Sequence, residues 1–254
     1  MKSILKLIYR IAKYIGLDLK ILFLFISNFP NFILDMIKFR KHQKIQSIFP
    51  ILTEKKFSQF DKHLFQLDLI TAQEIFKNKP QNHLDIGSRV DGLVAHVASF
   101  RKIDVLDIRE FKISHKSNIN TITKDLLELD TLKINYESIS SIGCIAHIGL
   151  GRYGDKIDVQ GDKKALKIIS KILNDDGILY LAVPTGKEKV VFNSHRQYNY
   201  KKFKNMLHGE NLDVLRSILI NEKAEISDEY TKENDEIAYT LFICRKFKNK
   251  TVLS

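Results

Sequence analysis

One short segment of the chain combines residues that suit a nucleoside-binding site. It is the run His83-Leu84-Asp85-Ile86-Gly87-Ser88-Arg89, which predicts a buried strand, a tight turn and the start of a helix. Gly87 would let the backbone approach a ligand where a Cβ atom would clash. Asp107 follows Gly87 by 20 positions, about where a doubly wound fold places the acid that binds ribose hydroxyls. We therefore predict that a nucleoside-containing molecule binds here.

A glycine-rich segment, His147-Ile-Gly-Leu-Gly-Arg-Tyr-Gly-Asp155, supplies a second group of reactive side chains. His147 could accept the proton of a hydroxyl group, because the pKa of an imidazole lies near neutrality; alternatively, it only hydrogen-bonds the loop. Arg152 and Tyr153 offer a charge and an aromatic ring, and Asp155 offers a carboxylate; alternatively, an Arg152–Asp155 pair rigidifies a structural loop. We predict catalytic roles for His147 and Asp155 and substrate binding by Arg152 and Tyr153.

Later residues could extend the same cleft. His195 and Arg196 could hold an anionic substrate such as a sugar nucleotide. His63 could cover the cofactor, although a surface position explains it equally well. The sequence contains no zinc-type spacing of histidine and cysteine and no Gly-x-Ser-x-Gly elbow of a hydrolase. We therefore expect no metal.

The positive charge of the chain is concentrated near its start. The 254 residues carry a net charge of +11, and residues 1–47 hold nine Lys and Arg against Asp18 and Asp35. A nucleic-acid partner is therefore not expected for the nucleoside-binding body. Cys144 and Cys244 lie far apart in apolar runs, which favours small core residues in a reducing cytoplasm over a disulfide.

Residues 1–50 predict a basic, apolar helical extension. The segment 1–29 has apolar and basic residues at helical spacing, so it could contact a membrane surface or pack as a helical cap. The apolar run 21–26 is too short to span a bilayer, and Pro30 should end that helix before a second one over 32–45. No signal-peptide cleavage site is apparent. A cytoplasmic location, with or without peripheral membrane contact, is expected.

Residues 51–254 predict one α/β domain. Residues 51–79 form a helical lid that ends at Lys79-Pro80, and residues 82–246 form the sheet core. The predicted strands are 83–87, 103–107, 119–123, 139–145, 177–183, 211–220 and 236–246, with helices over 92–100, 161–174 and 198–208. This alternation predicts a mostly parallel sheet flanked by helices and completed by a terminal antiparallel strand.

The pattern resembles the class I S-adenosylmethionine-dependent methyltransferases, which have a Rossmann-like sheet. Residues 84–88 resemble the first motif of that family, Asp107 the ribose-binding acid, Asp125 the residue near the adenine, and 146–148 the segment where substrate and methyl group meet. The resemblance implies S-adenosylmethionine as cofactor. The implied cofactor-binding residues are Asp85, Gly87, Ser88, Arg89, Asp107, Ile108 and Asp125.

Arg89 departs from the first motif, which normally continues with further glycines. An arginine cannot sit where the backbone must touch the cofactor, so its side chain must point elsewhere. It could pair with the cofactor carboxylate or with Asp91.

A closer resemblance, over about residues 50–245, is to the family called domain of unknown function 268. It is carried by Asp85-Ile-Gly-Ser-Arg-Val-Asp-Gly, Val105-Leu-Asp-Ile-Arg, the segment 147–155, Val183-Pro-Thr-Gly-Lys and Phe192-Asn-Ser-His-Arg. The resemblance implies a methyltransferase-like protein, with bacterial members often associated with surface-polysaccharide biosynthesis, and no established reaction.

Two hypotheses follow. In the first, the chain methylates an oxygen of a saccharide or another small polar acceptor. In the second, it is a non-catalytic protein with the same fold that acts as a membrane-associated scaffold or binding module. An NAD-linked Rossmann enzyme is a third possibility, disfavoured because the first loop lacks Gly-x-Gly-x-x-Gly.

Overall fold

The structure is a computed structural model that describes residues 12, 16–17, 19–42, 61–113, 117–129, 135–221, 223–228 and 238–247. The chain divides into two units, residues 1–60 and residues 61–254. Of the basic extension predicted over 1–50, residues 1–11, 13–15, 18 and 43–50 lie outside the described residues, as do the first ten residues of the predicted lid.

The first unit contains one long helix, α1, at Leu19–Arg40. Pro30 lies inside this helix, so the prediction of two helices separated at Pro30 is wrong. A proline removes only one hydrogen bond, to the carbonyl four residues earlier, and the turns on either side can remain helical. Among the described residues, no helix is both long enough and apolar enough to cross a membrane.

The second unit is built on an eight-stranded sheet with the order β3-β2-β1-β4-β5-β10-β8-β9. Strands β1 to β5 run parallel, and β10 is antiparallel to both β5 and β8. The strands are β1 His83–Ile86, β2 Ile103–Asp107, β3 Ile119–Thr123, β4 Tyr136–Ile142, β5 Leu173–Thr185, β6 Lys189–Val191, β7 His195–Gln197, β8 Leu212–Ile220, β9 Ile226–Ser227 and β10 Ala238–Lys246. The predicted fold class is confirmed.

Helices cover both faces of this sheet. They are α2 Lys62–Asn78, α3 Ala95–Ala98, α4 Gly161–Ile172 and α5 Tyr200–Gly209, with a π-helical turn at Val90–Val94 directly before α3. Alternate strand residues therefore enter two apolar clusters: Leu84 and Ile139 pack with α4 and α5, whereas Val105 and Tyr180 pack with α2 and α3. This packing fixes the carboxyl ends of the parallel strands relative to one another.

Several features differ from the sequence prediction. Strand β5 begins at Leu173 rather than at residue 177, and β9 was not predicted. Strand β4 ends at Ile142, three residues before the predicted end, because the chain turns at Gly143, which has a φ of +79°. The antiparallel hairpin of β6 and β7 was not predicted. Each of its strands has only three residues, and all three residues of β6 are exposed, so neither strand shows an apolar periodicity.

Candidate active site

A cavity of about 490 Å³ opens at the carboxyl edge of the parallel strands. This volume falls within the range of small-molecule sites. The predicted site residues that line it are Gly87, Arg89, Asp107, Ile108, Asp125, His147, Arg152, Tyr153, Asp155 and His195. Three predicted site residues, Asp85, Ser88 and Arg196, do not line it.

Gly87 makes the sharp turn that follows β1. Its φ is +64°, and its N–H donates to the Leu106 carbonyl at 2.9 Å. A Cβ atom at this position would lie 2.5 Å from the Sγ atom of Cys144. The close approach that requires glycine is therefore to Cys144, while the turn itself lines the cavity.

Asp85 and Ser88 support this turn from below. The carboxylate of Asp85 is fully buried and accepts hydrogen bonds from the hydroxyls of Ser88 and Ser140, both at 2.6 Å. Ser88 Oγ also accepts the Ile142 N–H at 3.0 Å. Burial raises the pKa of Asp85 to about 6, against the lowering effect of the two serines. Both residues therefore support the turn and do not line the cavity, and their contact with a cofactor stays a prediction.

Asp107, at the end of β2, already has a partner. Arg109 Nε and Nη2 donate to its two carboxylate oxygens at 3.0 and 2.7 Å, and the Arg109 backbone N–H donates at 2.8 Å. The hydrogen bonds that Arg109 donates to Asp107 raise the pKa of Arg109. A ribose diol would approach the same edge of this carboxylate that the arginine now occupies.

Both apolar and polar residues line the part of the cavity that contains Asp125. Ile108 and Leu126 line the cavity beside Asp125. Asp125 accepts the Leu127 N–H at 2.9 Å and caps the short 3₁₀ turn Leu126–Glu128. Its position is thereby fixed at the cavity wall.

Arg89 makes one of the two contacts that the sequence left open. Its Nε atom lies 3.4 Å from Asp91 and its Nη2 atom lies 3.9 Å from Oδ2 of Asp68, which is buried on α2. Burial raises the pKa of Asp68 to about 6, although the charge of Arg89 opposes this. Arg89 also lines the cavity, so it remains available to a ligand carboxylate.

His147 lies in the 3₁₀ turn Ile145–His147 after β4. Its Nδ1 atom is 2.5 Å from the Ser194 carbonyl oxygen. Because a carbonyl only accepts, Nδ1 must carry the hydrogen, which leaves Nε2 with the lone pair of the neutral ring. Burial lowers the pKa of His147 to about 4, with help from the charge of Arg152 and despite the bond to Ser194. The ring is therefore neutral at physiological pH.

The loop over residues 149–154 is folded around the carboxylate of Asp155. This carboxylate accepts the backbone N–H groups of Gly149 at 2.7 Å and of Gly151 and Tyr153 at 3.1 Å. Burial raises the pKa of Asp155, but these three hydrogen bonds together bring it below its usual value. The carboxylate is thus committed to the loop, which argues against the predicted catalytic role.

Arg152 does not form the considered pair with Asp155. Its Nη1 atom instead donates to the Ser194 carbonyl at 3.1 Å. The Tyr153 ring packs against two guanidinium groups, with Cζ of Arg109 at 4.8 Å and Cζ of Arg152 at 5.2 Å from its centroid. These contacts gather two cations and one aromatic ring beside His147.

His195 and Arg196 on β7 have different environments. His195 lines the cavity, and its Nδ1 atom is 2.9 Å from the Ser194 hydroxyl. Burial, with the charges of Lys189 and Arg152, lowers the pKa of His195. Arg196 is buried and donates to the carbonyls of Ile148 and Asp158. Arg196 thus supports the glycine-rich loop and does not line the cavity, and its binding of substrate stays a prediction.

Several cavity residues were missed by the sequence analysis, namely Asp61, Arg109, Ser194 and Tyr239. Asp61 caps α2 by accepting the N–H groups of His63 and Leu64. Arg109 could have been predicted, since an arginine two positions after Asp107 can pair with its carboxylate. Ser194 and Tyr239 come from a hairpin and a late strand, and no motif marked them. Among the described residues, no group of His, Cys, Asp or Glu side chains is arranged to hold a metal ion.

Comparison with solved structures identifies the fold. Similar structures include the Burkholderia thailandensis 1,6-didemethyltoxoflavin-N1-methyltransferase, solved with 1,6-didemethyltoxoflavin and S-adenosylhomocysteine (TM-score 0.53, 13% identity, 72% of this chain and 80% of that chain). Another is an S-adenosylmethionine-dependent methyltransferase from Clostridium acetobutylicum (0.50, 12%, 75% and 94%). The [4+2]-cyclase SpnF is similar as well (0.51, 10%, 71% and 81%). These likenesses show the methyltransferase fold alone.

The sequence comparisons identify the family of the chain. No curated protein sequence matches the chain significantly. The family described as "Caenorhabditis protein of unknown function, DUF268" matches residues 94–246, which is more than half of the chain. The suspected resemblance is confirmed, and the chain belongs to the DUF268 family.

Proposed function

We propose that the chain binds S-adenosylmethionine in this cavity and transfers its methyl group to an acceptor hydroxyl. One observation carries the proposal. The Gly87 turn, Asp107, Asp125 and the neutral His147 follow different strands, yet all line one cavity at the carboxyl edge of a methyltransferase-type sheet. The similar structures include one solved with S-adenosylhomocysteine and one of an S-adenosylmethionine-dependent methyltransferase, and both support this choice of cofactor.

The side chains present fit this cofactor. Asp107, although nearly buried, is at the cavity wall and offers carboxylate oxygens to the ribose hydroxyls once Arg109 yields that edge. Ile108 and Leu126 offer apolar surface to the adenine. Arg89 and Asp61 offer charges opposite to the carboxylate and ammonium of the methionine part.

The cofactor would supply the methyl group on an electrophilic sulfonium, and this chain's residues would handle the acceptor. His147 Nε2 has the lone pair that can take the hydroxyl proton, while Nδ1 is held by Ser194. A pKa of about 4 keeps the ring deprotonated at neutral pH but makes it a weaker base than an ordinary histidine. Positioning the acceptor oxygen therefore has to contribute much of the rate.

The finer acceptor assignment, a saccharide in surface-polysaccharide biosynthesis, rests on the family resemblance. Transfer of labelled methyl groups from S-adenosylmethionine to a panel of sugars, uronic acids and sugar phosphates tests it. We expect one class to be labelled by the wild type and much less by His147→Asn. Equal labelling by both proteins would refute the role of His147.

A second candidate function is membrane attachment through the first unit. Helix α1 exposes Phe23 and Ile26 by 70% and 61%, together with Phe29 and Phe39, and residues 1–47 are strongly basic. Full-length protein should pellet with anionic liposomes, and a Phe23→Glu/Ile26→Glu variant should pellet less. Phe192→Glu, exposed on the second unit, is the control. Equal pelleting of all three would refute this function.

A further inference from the structure

Arg152 is an oriented cation at the wall of the cavity. Its Nη1 atom is fixed by the Ser194 carbonyl at 3.1 Å, and its guanidinium packs on the Tyr153 ring. Among the described residues, no carboxylate lies within ion-pair distance of it, and Ser194 is the one hydrogen-bond partner it has. Most of its N–H donors therefore remain available to a ligand.

Three other charged residues that line the cavity are already compensated. Asp155 accepts three backbone N–H groups of its own loop. Arg109 forms an ion pair with Asp107, and Asp61 accepts two N–H groups at the start of α2. Arg152 and Lys124 are thus the cavity-lining cations for which no ion pair is found within the described part of the chain, and of these two Arg152 is the one that contacts the same carbonyl as His147.

Arg152 and His147 share one anchor. Both donate to the Ser194 carbonyl, and the His147 ring lies edge-on to Tyr153 with 5.9 Å between ring centroids. A group bound by Arg152 would consequently lie close to the His147 ring. The histidine is neutral, so it would not itself bind an anion strongly.

From this arrangement we propose that Arg152 binds an anionic oxygen group of the acceptor, a carboxylate or a phosphate, next to the hydroxyl that is methylated. A planar guanidinium matches both groups through paired N–H donors. The inference rests on the proposed function and adds the substrate class. The proposal also assigns to Arg152 the anion-binding role that the sequence predicted for Arg196.

The test uses the full-length chain labelled with ¹⁵N-arginine, with and without S-adenosylhomocysteine. The Arg152 Nε–Hε signal is identified by its loss in Arg152→Gln. Acetate, inorganic phosphate, D-glucuronate and D-glucose are then titrated separately. We expect the anions, but not glucose, to shift this signal in the wild type. Isothermal titration, which does not depend on the Arg152 signal, should show D-glucuronate binding roughly tenfold more weakly to Arg152→Gln than to the wild type. Acetate against phosphate shows which oxyanion is preferred.

Arg245→Gln is the matched control, because it removes the same charge from an exposed arginine outside the cavity. It should bind D-glucuronate as the wild type does. Arg152-dependent anion binding without any uptake of S-adenosylhomocysteine would support this inference and contradict the proposed cofactor. Glucose binding as well as glucuronate, or anion binding unchanged in Arg152→Gln, would overturn the inference whether or not the cofactor binds.

Discussion

Arg109 should compete with the cofactor for Asp107, so its removal should tighten binding. The guanidinium occupies both carboxylate oxygens side-on, at 3.0 and 2.7 Å, and a vicinal diol needs the same pair of oxygens. Arg109→Ala frees them without changing Asp107. We therefore expect the variant to bind S-adenosylhomocysteine more tightly than the wild type.

The magnitude follows from the exposure of the pair. Charge-assisted hydrogen bonds contribute about 1.5–3 kcal/mol when protected from water. The Arg109 side chain is 55% exposed whereas Asp107 is 5% exposed, so we discount the competition to about 1 kcal/mol. That free energy corresponds to about a fivefold lower Kd.

Isothermal titration with S-adenosylhomocysteine is the assay, since this ligand lacks the sulfonium charge. Lys112→Ala is the control, because it removes a nearby positive charge that is 90% exposed and does not pair with Asp107. Unfolding curves of each variant verify that the fold is retained. Weaker binding by Arg109→Ala, or equal tightening by Lys112→Ala, would refute the competition.

Three further predictions concern the turn, the buried acid and the histidine. Gly87→Ala should destabilise the domain by about 2 kcal/mol, because alanine disfavours a φ of +64° and its Cβ atom would clash with Cys144. Adding Cys144→Ala should restore part of the lost free energy of unfolding, measured in urea. Strictly additive effects of the two substitutions on that free energy would contradict the contact. The pKa of Asp85 is raised to about 6, so the folded state binds this proton more tightly than the unfolded state does, and the group's contribution to stability is lost as pH rises from about 4 to 6. Asp85→Asn should lessen that loss by about 2 kcal/mol, whereas exposed Asp228→Asn should not. An unchanged dependence of stability on pH in Asp85→Asn would contradict the raised pKa. The ring signals of His147 should titrate near pH 4 in NMR spectra, with proton-accepting ability lost below that pH; a midpoint near 6.5 would refute the buried, neutral ring.

The fold was predictable because its signals are local and repeated. Strands β2 and β5 are rich in apolar residues, and α2 ends at Asn78, directly before Lys79-Pro80, as expected. Strand limits and strand pairing were harder to predict from the sequence. Strand β4 was placed three residues too late, and the β6–β7 hairpin was missed because three-residue strands carry no periodicity.

The candidate site was predictable at strand ends and less so in side-chain roles. Asp107, Asp125 and His147 follow strands, so their position at the cavity was foreseeable. Hydrogen bonding decided the other roles. Asp85 is satisfied by two serines and Asp155 by its own loop, and neither set of partners can be read from residue spacing alone.

The central claim is that this cavity binds S-adenosylmethionine, and titration with its product tests it most directly. Full-length wild-type protein should release or absorb heat on binding S-adenosylhomocysteine at one site, and Asp107→Ala should lose this signal while remaining folded. Absence of heat at millimolar ligand with folded wild-type protein would contradict the claim. Undiminished binding by Asp107→Ala would place the ligand elsewhere and contradict it equally.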